Sequence, residues 1–256
     1  MEMKEIISVE KAGPVATVTM DRGAKRNALT QDMVLRLTDI ALEFQQDPSI
    51  ACVVLSGNDA EFSAGIDLGD PARWKLDDKN PVERRALALR GTRLCKAWED
   101  MPQITIAAVE GVNVGGGIAL TLACDWRVMG ESAYLFVPEV QIGIPLGWQT
   151  IPRLVNLTGP ARAKQIVLLG EKMSAGKALE WGLADFVVPD GAARAHAQAL
   201  AERISKMPDL AVRMSKQSIN AYANALNHLG SHMDVDQAML CGQSADAAAA
   251  RDRYGR

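Results

Sequence analysis

The chain has 256 residues, of which 48% are hydrophobic, and a formal net charge of −3 at pH 7. This length and apolar content can bury a sizeable core, so we expect one large domain. Because the charge is nearly balanced and the basic residues are scattered rather than striped, no nucleic-acid partner is predicted.

Membrane insertion, secretion and metal binding are not expected either. No apolar run approaches the roughly 20 residues that span a bilayer, and the start, MEMKEIISVE, carries charges where a signal peptide has its apolar segment. The cysteines are widely spaced without a CxxC pair, which is typical of buried thiols in a reducing compartment. His228 and His232 lie four residues apart but have no third ligand nearby. We therefore expect a cytoplasmic protein without a membrane partner or a metal site.

Apolar strands alternate with amphipathic helices through the first part of the chain. Strands are predicted at 15–20, 50–57 and 104–111. Helices are predicted at 30–47, with Thr30 as its N-cap, and at 82–98. This alternation predicts an α/β domain, and the polar segment 69–85 is expected to form a surface loop beside the site.

Beyond about residue 159 the pattern becomes mostly helical. Helices are predicted at 160–170, 174–182, 191–206, 208–227 and 233–250, with a strand-like piece at 186–189. We therefore divide the chain into an α/β core over residues 1–190 and a C-terminal helical region over residues 191–256.

Three consecutive glycines, Gly115 to Gly117, interrupt an apolar run where a helix is predicted to begin. Glycine inside an element costs roughly 0.5–1 kcal/mol relative to alanine, so the run indicates a close approach to the backbone or torsions that side chains do not allow. Free N–H groups at such a turn attract negative charge. The spacing matches neither GxGxxG nor a P-loop, and a tight turn without a ligand is the alternative.

Two further stretches of the sequence contain candidate catalytic groups. EFSAGIDL, 61–68, also follows an apolar strand, and two such turns can direct two amides at one oxygen, as in an oxyanion hole, where each donor contributes roughly 2.7–4 kcal/mol. In VPEVQIGIPLG, 137–147, Glu139 is flanked by apolar residues. A carboxyl group in an apolar pocket has a raised pKa and can move protons near neutral pH. A solvated surface carboxylate is the alternative for Glu139.

The order of RGAKRNAL, FSAGIDL, GVNVGGGIAL…CDWRV, PEVQIGIP and GLADFVVP resembles the enoyl-CoA hydratase/isomerase (crotonase) family over roughly residues 5–220. The resemblance implies a crotonase-like spiral of ββα units with a C-terminal helical trimerisation region, and a homotrimer or hexamer. It also implies an acyl-CoA substrate whose thioester carbonyl is polarised to stabilise an enolate. Coenzyme A is then part of the substrate, and no separate cofactor is implied.

The family's site residues transfer onto this chain by position. The resemblance implies that the amides of Ile66 and Gly116 form the oxyanion hole and that Glu139 is the catalytic carboxylate. The implied coenzyme A contacts are Lys25, Arg26, Ala24, Ala64 and Lys216. Gly23 and Ala24 replace the proline and glutamate usual in this segment, which loosens the contact with the adenine.

Ala119 departs from the pattern of typical hydratases, which have a glutamate three residues after the middle glycine. A positioned acid/base contributes about 10²–10⁴-fold, or roughly 3–5.5 kcal/mol, so efficient simple hydration is in doubt. A lone glutamate suits movement of a double bond from the 3 to the 2 position, although some hydratase-lyases also lack the first glutamate. Asp67 and Asp70 are candidate substitutes, but Asp67 is expected to cap its own turn.

Trp74, Trp148 and Ala119 are the candidates for lining the substrate pocket. An indole at Trp148 would shorten or flatten the acceptable acyl chain, and Trp74 in the variable loop would cover the thioester. Packing within the protein is the alternative for both tryptophans.

We therefore expect isomerisation or hydration of an enoyl-CoA. The alternatives are a weak or inactive acyl-CoA-binding homologue, which Ala119 favours, and a hydratase-lyase acting on an aryl-acyl-CoA. An RNA-binding relative is disfavoured by the net charge of −3. A serine hydrolase using Ser63 is disfavoured because the chain has no GxSxG motif.

Overall fold

The structure is a computed structural model that describes residues 6–74 and 79–254, with the side chains of Arg73, Trp74 and Tyr254 outside the described part. The strands are β1 (Ile7–Ala12), β2 (Val15–Met20), β3 (Cys52–Ser56), β4 (Ile104–Val109), β5 (Val112–Val114), β6 (Trp126–Gly130), β7 (Tyr134–Phe136), β8 (Met173–Ser174) and β9 (Phe186–Val188). The first helices are α1 (Gln31–Gln45), α2 (Pro71–Trp74), α3 (Pro81–Ala88), α4 (Arg90–Glu99), α5 (Gly116–Thr121) and α6 (Thr150–Lys164). The later helices are α7 (Ala175–Glu180), α8 (Ala193–Ser205), α9 (Asp209–Ala223), α10 (Asn227–Ser231), α11 (Asp234–Gly242) and α12 (Ala245–Tyr254).

The main sheet has six strands in the order β1-β2-β3-β4-β6-β9 and is parallel except for the antiparallel pair β1 and β2. Side chains alternate between its two faces, and both faces are covered by helices. In β3, for example, Val53 and Leu55 join the cluster beneath α1 and α4, whereas Cys52 and Val54 pack against α8. This double burial explains the continuous apolar runs that identified β3 and β4, and the predicted α/β class is confirmed.

The second sheet is small, with strand order β5-β7-β8. The pair β5 and β7 is parallel, and β7 and β8 are antiparallel. These strands have two or three residues each, too few for a periodic pattern, and the sequence did not predict them. They place the glycine run beside the segment that carries Glu139, because the Gly115 N–H donates to the Phe136 carbonyl at 3.0 Å.

The predicted helices form with shifted boundaries. The helix expected at 208–227 ends at Ala223 as α9, and the one expected at 233–250 is two helices, α11 and α12. The segment 69–85, expected to be a surface loop, contains α2 and the start of α3. Thr30 caps α1 by accepting the Met33 N–H at 3.2 Å, as predicted. The helix predicted at 82–98 is two helices, α3 and α4, which meet at Leu89. Gly159, with φ 76° and ψ 163°, breaks α6, and its second part continues into a π-helical turn over Gln165–Leu169.

The C-terminal region contributes to the core and also presents an apolar surface. Helix α8 buries Ala193, Ala197, Leu200 and Ala201 against the main sheet. Helix α12 packs on the 3-10 turn that begins at Glu139, where a methyl group on Gly143 would lie 2.6 Å from the Ala247 Cβ. Large apolar side chains that are exposed on or beside α9 to α11 are Leu210, Met214, Ile219, Tyr222, Leu226, Leu229 and Leu240. This surface fits the role of a trimerisation region.

Within residues 6–74 and 79–254, no helix combines the length and the apolarity needed to cross a bilayer.

Candidate active site

The two turns singled out in the sequence lie side by side at the carboxyl end of the parallel sheet. Strands β3 and β4 are parallel neighbours, so the chain leaves both at the same edge. Hydrogen bonds then join the turns: the Phe62 N–H donates to the Glu110 carbonyl at 2.8 Å, and the Ser63 N–H donates to the Val112 carbonyl at 2.9 Å. Ligands of open parallel sheets bind in the crevice at this edge.

Two backbone N–H groups at the turns are available to a ligand. Two hydrogen bonds hold the residues on either side of Ile66 and leave its own N–H unused. The Leu29 N–H donates to the Gly65 carbonyl at 2.7 Å, and the Asp67 N–H donates to the Leu29 carbonyl at 2.9 Å. Among the described residues, neither the Ile66 N–H nor the Gly116 N–H has a hydrogen-bond acceptor. A methyl group placed on Gly65 would lie 3.5 Å from the Gly116 nitrogen, so the two turns are adjacent. Each of the two adjacent turns therefore carries one backbone N–H without an acceptor among the described residues.

Gly115 explains part of the glycine run. Its φ of +48° is in the left-handed region, and a methyl group there would lie 2.6 Å from Glu139 Oε1. The position therefore needs glycine both for its torsion and for the close approach of a carboxylate. Helix α5 begins at the next residue, Gly116.

Glu139 begins a 3-10 turn that follows β7. The residue as a whole is half-buried, but its Oε2 is inaccessible to solvent and has no hydrogen-bond partner within the described part of the chain. Burial raises the pKa of this carboxyl group from its ordinary 4.5 to about 7, and a hydrogen bond from its own backbone N–H opposes the rise. A solvated surface carboxylate does not agree with this burial. The group can exchange a proton near neutral pH.

The other candidate carboxylates are engaged elsewhere. Burial would raise the pKa of Asp67, but hydrogen bonds from Arg22, at 2.8 Å, and from the Gly69 N–H hold it below its ordinary value. Asp70 accepts the Gln31 N–H at 2.8 Å and the Ala72 N–H at 2.9 Å. Asp67 caps its own turn through the Gly69 N–H, as the sequence indicated, and Asp70 holds the start of α1 through the Gln31 N–H. Both carboxylates are therefore already hydrogen-bonded to protein groups.

Ala119 and Ser63 are buried in the same region. Ala119 lies one helical turn after Gly115, to whose carbonyl its N–H donates at 3.0 Å, and it is 1% exposed. The Ser63 hydroxyl donates to the Asn27 carbonyl at 2.8 Å and accepts the Gly65 N–H at 3.1 Å. Because this hydroxyl is committed to holding the turn, the geometry gives no support to a serine nucleophile.

The predicted coenzyme A segment adjoins the 61–68 turn. Ala24 and Lys25 lie in an exposed 3-10 turn, and the Ala64 N–H donates to the Arg26 carbonyl at 2.8 Å. Arg26 pairs with Glu61 at 2.6 Å, and this hydrogen bond raises the pKa of the guanidinium. A phosphate group at Arg26 would therefore compete with Glu61. The Lys25 side chain forms no hydrogen bond or ion pair with a described residue, and its charge helps to lower the pKa of Asp67.

The assignment of Lys216 to coenzyme A needs correction. Its side chain is 3% exposed, and its ammonium donates to Asp125 and to the Gln103 carbonyl, each at 2.6 Å. It lines a cleft with Ile104, at the amino end of β4, whereas the glycine turns follow the carboxyl end of that strand. A lysine in the middle of the predicted helix 208–227 gives no sequence signal of such burial, so only packing reveals that Lys216 is structural.

Trp148 lies at the site, and the side chain of Trp74 is outside the described residues. The far edge of the Trp148 indole, atoms Cη2 and Cζ3, would be 3.1 and 3.2 Å from a methyl group on Gly116. The same methyl group would lie 3.2 Å from Ile66 Cγ1. Trp148 therefore borders the two free amides. Sequence reasoning missed its partners Gly91 and Arg153, although a glycine inside the predicted helix 82–98 was a signal for a close contact at Gly91.

Comparison with known proteins identifies the family of this chain. Residues 10–254 match the family model described as Enoyl-CoA hydratase/isomerase. The chain is 31% identical over 240 residues to the Short-chain-enoyl-CoA hydratase of Clostridium acetobutylicum, covering 93% of this chain and 87% of that protein. It is 31% identical over 236 residues to the Crotonyl-CoA hydratase of Syntrophomonas wolfei, covering 92% and 86% of the two chains.

Solved structures give the same result for the fold. A crystal structure of an enoyl-CoA hydratase/isomerase from Mycobacterium paratuberculosis superimposes with a TM-score of 0.88 at 26% identity, covering 99% of this chain and 100% of that chain. The ββα fold expected from the resemblance is thereby confirmed. With the family model matching nearly the whole chain, the protein belongs to the enoyl-CoA hydratase/isomerase (crotonase) family of enzymes, whose members are lyases or isomerases.

Proposed function

We propose that this enzyme moves the double bond of an enoyl-CoA thioester with Glu139 as its single acid/base. The thioester oxygen accepts the N–H groups of Ile66 and Gly116. The Glu139 carboxylate removes a proton from C2 of a 3-enoyl thioester, and the two donors stabilise the negative charge that develops on oxygen. Protonated Glu139 then returns the proton to C4, which leaves the double bond between C2 and C3.

The buried, unpartnered Oε2 of Glu139 carries this proposal. It gives the site one group that titrates near pH 7, set against the backbone of Gly115 and next to an available amide. Moving one proton between two carbons of the same substrate needs one such group. Hydration also requires a water molecule to be oriented, and Ala119 has no polar atom for that purpose.

Hydration of an enoyl-CoA is the second candidate, because two of the relatives reported above are named hydratases. In that case a polar group other than residue 119 orients the water. The remaining alternatives are a hydratase-lyase that acts on an aryl-acyl-CoA and an acyl-CoA-binding protein without activity.

NMR of 2-enoyl- and 3-enoyl-CoA incubated with the enzyme in D₂O distinguishes these activities. We expect deuterium at C2 or C4 together with migration of the double bond, and loss of both in Glu139→Gln with acyl-CoA binding retained. A 3-hydroxyacyl product would replace isomerisation by hydration. Binding without exchange would indicate a non-catalytic homologue, and full activity of Glu139→Gln would refute the assigned role of Glu139.

We further propose that Lys25 contributes to binding the coenzyme A phosphates and that the enzyme is a homotrimer or a hexamer of two trimers. The first proposal is supported by the exposed position of Lys25, whose side chain forms no hydrogen bond or ion pair with a described residue. The exposed apolar side chains of α9 to α11 support the second. Light scattering after size-exclusion chromatography measures the assembly, and a monomer at micromolar concentration would refute it.

A further inference from the structure

A close contact between two elements bounds the space beside the free amides. The Trp148 indole lies over Gly91 of α4, where a methyl group would be 1.7 Å from Cε2 and 2.1 Å from Nε1 of the indole. No side chain other than hydrogen fits at residue 91 with the indole in place. Glycine inside a helix costs roughly 0.5–1 kcal/mol relative to alanine, and this contact accounts for it.

The indole is held there by the turn at Trp148 and Gln149, which has a strained backbone conformation and is fixed by several hydrogen bonds. Trp148 and Gln149 have φ of 60° and 59°, a left-handed conformation that costs a non-glycine residue roughly 1–2 kcal/mol. Arg153 donates to the carbonyls of Trp148 and Gln149 at 2.9 and 3.1 Å, and Glu99 holds that guanidinium at 2.8 Å. Asp234 accepts the Gln149 N–H at 2.8 Å. A strained backbone conformation of this kind persists only when several neighbouring contacts hold it in place. Residues in such conformations are found most often at functional sites.

The indole approaches the site from the side of α4. The segment with Ala24 and Lys25 joins the 61–68 turn at a different residue, because the Ala64 N–H donates to the Arg26 carbonyl. A thioester oxygen between Ile66 and Gly116, with its coenzyme A extending toward Lys25, would direct its acyl chain toward Trp148. The ring edge at Gly116 then limits the length available to that chain.

We propose that Trp148, seated on Gly91, closes the acyl end of the site and makes short-chain enoyl thioesters the substrate class of this enzyme. Arg153 and Asp234 act as positioning residues, since they hold the turn and do not touch the substrate. The proposal rests on the proposed function for the placement of the thioester. It adds a determinant of specificity that neither the glycine turns nor Glu139 supplies.

Calorimetric titration with the saturated thioesters butyryl-CoA and octanoyl-CoA tests the inference without turnover. For the wild type we expect octanoyl-CoA to bind about tenfold or more weakly than butyryl-CoA. Trp148→Gly removes the indole while suiting the left-handed backbone, and we expect the ratio of the two Kd values to shift toward octanoyl-CoA by about tenfold or more. Trp148→Phe, a smaller change if Trp148→Gly fails to fold, should shift it in the same direction. Trp181→Phe, at a ring stacked with Arg162 and Lys177, is the matched control and should leave the ratio unchanged.

A separate measurement tests whether Asp234 holds the Trp148 indole in position. Asp234→Ala should change the Kd ratio in the same direction as Trp148→Gly, and Asp234→Asn, which keeps an acceptor for the Gln149 N–H, should restore it. A change in melting temperature without a change in the ratio would assign Asp234 to stability alone.

The outcomes separate the two proposals. A preference for butyryl-CoA without turnover of any enoyl-CoA would refute the proposed reaction and leave the role of Trp148 intact. Turnover with equal binding of both thioesters, or an unchanged ratio in both Trp148 variants, would refute the inference and leave the reaction intact. No binding of either thioester would overturn both.

Discussion

Glu139→Gln should abolish the effect of pH on stability that the buried carboxyl group imposes. Because the pKa of Glu139 is raised on folding, the folded protein binds this proton more tightly than the unfolded chain does. Its contribution to stability is therefore complete below pH 4.5 and is lost as the pH rises through about 7. One pKa unit corresponds to about 1.4 kcal/mol, so the rise from 4.5 to about 7 amounts to about 3 kcal/mol lost at alkaline pH. Glutamine is neutral throughout and keeps the same shape, so the variant should avoid this loss.

Urea denaturation of both proteins at pH 5, 6, 7 and 8 measures the effect. We expect the free energy of unfolding of Glu139→Gln to exceed that of the wild type by an amount that grows by about 2 kcal/mol or more between pH 5 and pH 8. Glu43→Gln, at a side chain that is 64% exposed, controls for the loss of one negative charge. A difference that stays constant with pH would show that the Glu139 carboxyl is solvated, and the reasoning about its acid/base role would fail.

Three further predictions concern the turns and the packing around them. Gly115→Ala should lower kcat/KM by about 100-fold or more, since the methyl group would displace Glu139 Oε1. The control is Gly176→Ala, whose methyl group would have no atom within 4 Å, and it should keep full activity in the same steady-state assay. Glu99→Ala leaves the buried Arg153 guanidinium unpaired, and urea denaturation should show a loss of about 3–5 kcal/mol; a loss below about 1 kcal/mol would mean that the pair is solvated. Lys216→Met should reduce stability while leaving the Kd for coenzyme A unchanged, and a calorimetric loss of coenzyme A affinity would restore the original assignment.

The sequence by itself determined the class of the fold and identified most residues of the candidate site. Strands β3 and β4 are buried at every position because helices cover both faces of a parallel sheet, and the nearly continuous apolar runs that result are visible in the sequence. Thr30 identified the start of α1 because an N-cap acts within one helical turn. The glycine turns, Glu139 and the alanine at position 119 were visible for the same reason, since each belongs to a short local motif.

Only the tertiary structure decided which of these groups meet and what else surrounds them. The approach of Glu139 to Gly115 depends on the pairing of β5 with β7, two strands too short to be read from periodicity. The contact of Trp148 with Gly91 depends on α4 lying beside the residues that precede α6. The burial of Lys216 depends on α9 lying against the amino end of the sheet. Local propensities act over a few residues, whereas these contacts join residues distant in the chain. Their existence follows from how the helices pack on the sheet, which no single segment encodes.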